Sequence, residues 1–202
     1  MSRSLLGLLF FLPGVAVSQA SASRPTQQAV FAGGCFWGVD AVFKHVHGVV
    51  KVVSGYAGGA AATADYETVS TGTTGHAESV EVTFDPAQIT YDKLLEIFFT
   101  VAHDPTERDR QGPDVGTQYR SAIFYADETQ RHSALTAITR LTQAHAFAAP
   151  IVTEVTRLSH FYPAEAYHQD YLAQHMTQPY IVYNDLPKLD RLKQRFPALY
   201  RQ

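Results

Sequence analysis

The 202-residue chain contains one cysteine, Cys35. It follows Gly33-Gly34 and opens a stretch of helical period in which Val39, Val42, Phe43 and Val46 lie three and four apart. The free N–H groups and the dipole at a helix N-terminus favour an anion, and a thiol placed there can ionise at a pKa of roughly 3.5–7.5. The glycines let backbone approach and leave the sulfur uncovered. Cys35 therefore reads as a nucleophilic thiolate. The alternative is a small apolar residue packed under the helix as alanine would be. Phe36 and Trp37 follow at once, and Trp37 is the chain's only tryptophan. They read as core, or as walls of a small apolar pocket that holds a methyl-sized group beside the thiol.

Glu78 is the acid that stands out. Val80, Val82 and Phe84 alternate with Ser79, Glu81 and Thr83, the pattern of a half-buried strand, and Glu78 has the parity of the apolar set. A carboxyl on a buried face is rare. Burial raises its pKa, and a carboxyl that stays protonated near neutral pH can act as a general acid. If the strand instead begins at Ser79, Glu78 is a solvated loop residue. Tyr66 and Tyr119 lie in polar, Gly-containing loops, where their phenols are hydrogen-bond donors or simply lids. The nine histidines show no HExxH spacing, and one cysteine excludes a Cys-rich zinc site, so no metal site is expected. His45, His47, His168 and His175 read as surface or structural. No G-x-S-x-G elbow, Walker loop or G-x-G-x-x-G occurs.

The elements that must position these groups follow from the same patterns. Ala29–Ala32 is a short apolar strand that meets the glycine turn; the Cys35 helix ends near Gly48, and Val49–Tyr56 is a second strand. This opening suggests a βαβ unit. Tyr66–Ser70 reads as a short extended piece. Thr90 is placed to cap a helix whose apolar face carries Leu94, Leu95, Phe98 and Val101. His103–Thr117 is a charged loop and Ser121–Ala126 a strand. Asp127 and Gln130 have the spacing of a capping box for a helix over 127–147. Ile151–Leu158 is a strand, Glu165–His175 a helix, and Lys188–Phe196 a last short helix. Strands mix with helices in one α/β or α+β domain over 29–202, with helices packed on a sheet.

Composition agrees: 46% apolar, 17% charged, 13 Gly and 10 Pro exclude a long disordered chain, a collagen-like repeat and a coiled coil. The formal charge of −3, with no evident basic face, argues against nucleic-acid binding. Residues 1–20 read as a secretory signal peptide cleaved after about residues 20–22. Arg3 precedes an uncharged run over 5–17, and small-x-small sites follow. That run is shorter than the ~20 residues that span a bilayer. Residues 21–28 read as a disordered lead. The processed chain is expected outside the cytosol, periplasmic or secreted, and free of the membrane. Exported proteins usually carry cysteines in pairs, which makes the lone Cys35 conspicuous.

Gly34-Cys35-Phe36-Trp37-Gly38 resembles the catalytic motif of type A peptide methionine sulfoxide reductases. The resemblance continues in order through 55–59, 66–69, 74–78, 103–105, 110–121, 161–169 and 179–181, and so covers roughly 29–200. It implies a two-layer α/β sandwich with a mixed sheet, related to the ferredoxin-like fold. It also implies that Cys35 is the nucleophile that becomes a sulfenic acid and that Glu78 is the proton donor. Tyr66 and Tyr119 bind the sulfoxide oxygen, Phe36 and Trp37 wall the substrate methyl, and Asp114 is a polar pocket residue. The substrate implied by the resemblance is methionine-S-sulfoxide, free or in proteins, and no bound cofactor is expected.

Three departures stand out. Asp40 stands where Glu is usual, and Ala166 where Asp is usual. Many relatives also carry resolving cysteines near the C-terminus or at the place held here by Ser70, and this chain has none. An internal disulfide step is therefore excluded, and an external thiol must reduce the sulfenic acid: a thioredoxin-like protein, a glutaredoxin or a small thiol. The expected partners are oxidised proteins and that reductant, acting on a monomer in the repair of oxidatively damaged exported proteins. Two rivals remain at this stage. One is another sulfenate-forming thiol enzyme such as a peroxidase, and the other is a non-catalytic domain that binds methionine sulfoxide.

Overall fold

The computed structural model describes residues 25–202; the expected signal peptide over 1–20 and the first half of the expected 21–28 lead lie outside the described residues. The chain orders as β1 (Gln27–Gly33), α1 (Phe36–Lys44), β2 (Val49–Ala57), α2 (Tyr66–Val69), β3 (Ala77–Phe84) and α3 (Tyr91–Ile97). There follow β4 (Arg110–Gln111), β5 (Asp114–Val115), β6 (Ser121–Tyr125), α4 (Glu128–Gln143), β7 (Glu154–Arg157), β8 (Phe161–Pro163), α5 (Tyr171–Gln174) and α6 (Leu186–Arg195). Six strands form one sheet in the order β7-β6-β1-β3-β2-β8. Only β6 and β7 pair in parallel; the other neighbours are antiparallel. The fold is α+β on a mixed sheet. The opening is a split βαβ, because β3 pairs with both β1 and β2 and lies between them.

The main core lies between one sheet face and the helices. Phe31, Val80, Val82 and Phe84 from the sheet meet Val39, Val42 and Phe43 of α1, Leu94, Leu95 and Ile97 of α3, and Leu192 of α6. Phe31 stacks between Phe43 and Phe98, with centroids at 5.2 and 5.0 Å. The other sheet face carries a smaller cluster with Val30, Ala32, Ala77 and Phe124. Residues of opposite parity thus serve opposite layers, as the period-2 geometry requires.

Where the structure departs from the sequence reading, long-range contacts explain it. β1 begins at Gln27, two residues inside the expected lead, because Gln27 and Gln28 find register partners in Phe84 and Thr83. Tyr66–Val69 is helix rather than extended chain; the Asp65 carboxylate accepts from the Thr68 backbone N–H at 3.0 Å and caps it. The capping box of α4 is half made. Asp127 accepts from the Gln130 N–H, but the Gln130 side-chain oxygen takes the N–H of Ala126. That helix ends at Gln143, short of the expected 147, and His145 turns the chain with φ 48°. The expected helix over 165–175 is broken. A short helical turn at Ala166–His168 is followed by extended Gln169 and left-handed Asp170 before α5. The Gln169 amide is committed to Ser54, accepting from its N–H and donating to its carbonyl, which ties this segment to β2.

Candidate active site

The turn between β1 and α1 places the thiol. Gly34 has φ 86°, and a Cβ there would lie 2.5 Å from the Gln111 side chain, so only glycine fits both the backbone and the space. Cys35 is the N-cap of α1 and is 8% exposed. Gly38, one turn on, faces Asp185 and Lys188; a Cβ would come within 2.1 Å of the Asp185 carboxylate. The α1 N-terminus is thereby packed directly against the ion pair of Lys188 Nζ with Asp185 Oδ1, at 3.1 Å.

Glu78 reaches the same point from the sheet. It occupies the core-facing side of β3, as its parity predicted, and is 3% exposed. Its Oε2 accepts from the Phe36 backbone N–H at 3.0 Å. Burial pushes its pKa up to about 8, with Asp114 and Asp185 adding to the rise and the Phe36 N–H opposing it. Glu78 is therefore largely a neutral acid at pH 7.

The expectation for the resting thiol is corrected. The Cys35 thiol is pushed well above its ordinary range, first by burial, then by the carboxylates of Glu78 and Asp185. The Trp37 backbone N–H and the Lys188 ammonium act in the opposite sense and are outweighed. The Phe36 N–H, the first donor of α1, is directed to Glu78. Cys35 and Glu78 thus form a coupled pair in which ionising one disfavours ionising the other.

The other residues singled out converge here. The Tyr119 phenol, raised by burial, also feels Glu78, Asp114, Cys35 and Tyr66. Tyr66 feels Glu78 and Cys35. Asp114 accepts a hydrogen bond from the Tyr180 hydroxyl, and burial raises its carboxyl. Phe36 is 1% exposed and packs beneath the site against Tyr56 and His168, while half-buried Trp37 stacks on Tyr171 at 3.7 Å. A cavity of about 430 Å³ opens on Cys35, Asp114 and Tyr180. Among the described residues no three His, Cys, Asp or Glu gather as metal ligands.

Several supporting residues escaped the sequence reading. Glu165 accepts from both the Tyr56 hydroxyl, at 2.8 Å, and the Tyr66 backbone N–H, at 2.9 Å, which anchors the start of α2. His168 is structural, as one of its two readings held. It is 2% exposed, touches the rings of Phe36, Trp37, Tyr66 and Tyr167, and accepts from the Trp37 indole N–H at 3.1 Å. Burial keeps it below the ordinary imidazole range, which suits a neutral acceptor. Tyr180, Asp185 and Lys188 belong to a distant stretch of chain, and no local pattern ties them to Cys35.

Glu78 makes the fold's stability pH-dependent. Its folded pKa of about 8 lies above its ordinary 4.5. The stability that goes with the buried neutral form is intact below about pH 4.5 and is lost as the pH rises through about 8. Relative to Glu78→Gln, the natural protein should lose on the order of a few kcal/mol across that window. Denaturant midpoints of both proteins from pH 5 to 9 measure this, and parallel curves would show that the carboxyl is not buried in solution.

The comparisons with known proteins converge on one family. The family model described as peptide methionine sulfoxide reductase matches residues 27–199. A peptide methionine sulfoxide reductase MsrA 2 of Mesorhizobium japonicum is 58% identical over 181 residues, covering 90% of this chain and 93% of the relative. MsrA of Thermus thermophilus is 49% identical, covering 88% of this chain and 99% of the relative. Among solved structures, reduced Mxr1 from Saccharomyces cerevisiae superposes with a TM-score of 0.71 at 30% identity, over 81% of this chain and 92% of that one. Methionine sulfoxide reductase A of Corynebacterium diphtheriae has a TM-score of 0.67 at 34% identity, over 82% of each chain. With that match spanning the whole arrangement of thiol, buried acid and phenols, the chain belongs to the peptide methionine sulfoxide reductase family and is an oxidoreductase that reduces methionine sulfoxide.

Proposed function

We propose that this chain reduces the S epimer of methionine sulfoxide, free or in proteins, through a sulfenic acid on Cys35 that an external thiol then removes. The observation that carries the reading is the meeting of Cys35 and Glu78 at the first residue of α1, through the Phe36 N–H. The reactive form of the pair holds one proton, on Glu78, with Cys35 as thiolate. A sulfoxide that accepts hydrogen bonds from Glu78, Tyr66 and Tyr119 draws that proton toward its oxygen while the thiolate attacks its sulfur. The attack joins Cys35 Sγ to the substrate sulfur. As the protonated oxygen passes to Sγ, both that sulfur–sulfur bond and the substrate's sulfur–oxygen bond break, methionine leaves, and Cys35 holds the oxygen as sulfenic acid. The sulfoxide gains two electrons and Cys35 loses two.

The cysteine count then governs the second half. A thiolate from another molecule attacks the sulfenic sulfur, water leaves, and a further thiol releases the mixed disulfide. A thioredoxin-like protein, a glutaredoxin or a small thiol meets the requirement. Mxr1 of Saccharomyces cerevisiae has itself been solved in complex with Trx2; for this chain the need for a donor comes from its single thiol. The charged start and apolar run of residues 1–20 support export, which makes damaged exported proteins the clients.

One equivalent of methionine sulfoxide without reductant tests this. The protein should release one equivalent of methionine and stop, with a single added oxygen on the Cys35 peptide that dimedone traps. An unmodified thiol after methionine release would remove Cys35 from the chemistry.

A further inference from the structure

We propose that the cavity opening on Cys35 is a binding site for a small anionic thiol, one that carries a carboxylate or similar group, and that α6 supplies its cationic wall. This rests on the reading of Cys35 as a sulfenic acid that needs an external donor. Asn184, Lys188, Arg191 and Arg195 all line the cavity together with Cys35. Their spacing of four, three and four residues puts them on one stripe of the helical turn leading into α6 and of α6 itself, while Leu192 turns into the core. The stripe therefore presents three cations, at increasing distance along the helix, to a space that begins at the sulfur.

The cations differ in their commitments. Lys188 is paired with buried Asp185, and its charge reaches Cys35. Arg191 donates to the Val101 carbonyl at 3.2 Å, which fixes the side chain and leaves its charge unpaired. Among the described residues neither Arg191 nor Arg195 forms an ion pair. Two carboxylates share the lining. Asp104 is occupied by the N–H and hydroxyl of Thr106, and Asp114 accepts from Tyr180 with its carboxyl raised by burial. The excess positive charge thus lies at the α6 end. A volume of about 430 Å³ falls in the range of small-molecule pockets, ~300–1,000 Å³.

The two ends match the two ends of such a reductant. The anionic group pairs with Arg191 and Arg195, whose planar forks suit a carboxylate, and the thiolate is directed at Cys35. It attacks the sulfenic sulfur and forms a disulfide bond as the sulfur–oxygen bond breaks, and the hydroxyl takes up the proton that the thiol gave up on ionising and leaves as water. A second thiol of the same class attacks its own kind in that disulfide and restores the Cys35 thiolate. The donor pair is oxidised by two electrons and Cys35 is reduced by two.

Three two-carbon thiols of different end-group charge test the site: 2-mercaptoethanesulfonate, 2-mercaptoethanol and 2-aminoethanethiol. The full chain is first converted with one equivalent of methionine sulfoxide. Loss of dimedone-reactive sulfenic acid is then followed for each thiol, with rates compared per thiolate. The sulfonate should react at least about tenfold faster than the alcohol at low ionic strength, and the amine slowest, with the spread shrinking as salt is added. The net charge of −3 opposes an anion at long range, so such a preference must be local. Replacing both arginines, Arg191→Gln with Arg195→Gln, should bring the sulfonate-to-alcohol ratio to about one; because this is a ratio within one protein, it is insensitive to the fraction folded. A ratio of one in the natural protein, or a ratio unchanged in the double variant, overturns the site. A preference seen instead in the first half-reaction, for sulfoxide peptides with acidic neighbours, also overturns it. Absence of sulfenic acid before any thiol is added overturns the site together with the reading on which it rests.

Discussion

Serine in place of Cys35 is expected to leave a folded protein that releases no methionine from methionine sulfoxide. Cys35 is 8% exposed at the N-cap of α1, a position where serine is well tolerated. The smaller oxygen leaves only a slight void, so loss of the fold is not expected. The chemistry does not survive, because an alcohol in a buried site beside Glu78 and Asp185 cannot supply an anion that attacks sulfur and then carries an oxygen away. Turnover with dithiothreitol, measured beside circular dichroism and thermal melting, reads both halves of the expectation. Retention of even a few per cent of activity by the folded variant would mean that another group is the nucleophile.

Glu78→Gln should slow sulfenic acid formation by about 10²–10⁴-fold, the usual worth of a positioned general acid. The amide is nearly the same shape and its oxygen can still accept from the Phe36 N–H, so the first turn of α1 should hold. What is lost is the proton. The natural enzyme keeps Glu78 protonated up to about pH 8 because burial disfavours the carboxylate. Because the reactive form of the coupled pair holds one proton in all, the single-turnover rate should rise as the first proton is lost near pH 8 and decline only when the second is lost, at higher pH; the variant should lack that decline. Glu78 also raises the Cys35 thiol when ionised, so alkylation of Cys35 at alkaline pH should begin at lower pH in the variant. Single-turnover rates close to those of the natural protein, with the alkaline limb intact, would move the acid role to Tyr66 or Tyr119.

Much of the site was legible locally. The Gly-Gly turn before Cys35 is a backbone requirement, since Gly34 takes φ 86°, and backbone conformation is written in residue type. Glu78 could be placed on the buried face of β3 because alternation along a strand has a fixed period. The caps of α3 and α4, Thr90 and Asp127, act within three residues and were readable for the same reason. The motif order carried the family, and the mixed-sheet fold with it.

Tertiary structure decided the rest. The segment over 165–175 has helical character in isolation. Glu165, His168 and Gln169 are instead spent on Tyr66, Trp37 and Ser54, partners 99 to 131 residues away. The helix breaks to let each side chain reach its partner. The sign of the Cys35 shift was decided in the same way. A helix N-terminus alone lowers a thiol pKa, but the first N–H of α1 goes to a carboxylate 42 residues distant, and burial with two carboxylates outweighs what remains. Periodicity, turn chemistry and capping act over a few residues and survive in the sequence; desolvation and the proximity of charges come into being only when distant segments close around one sulfur atom.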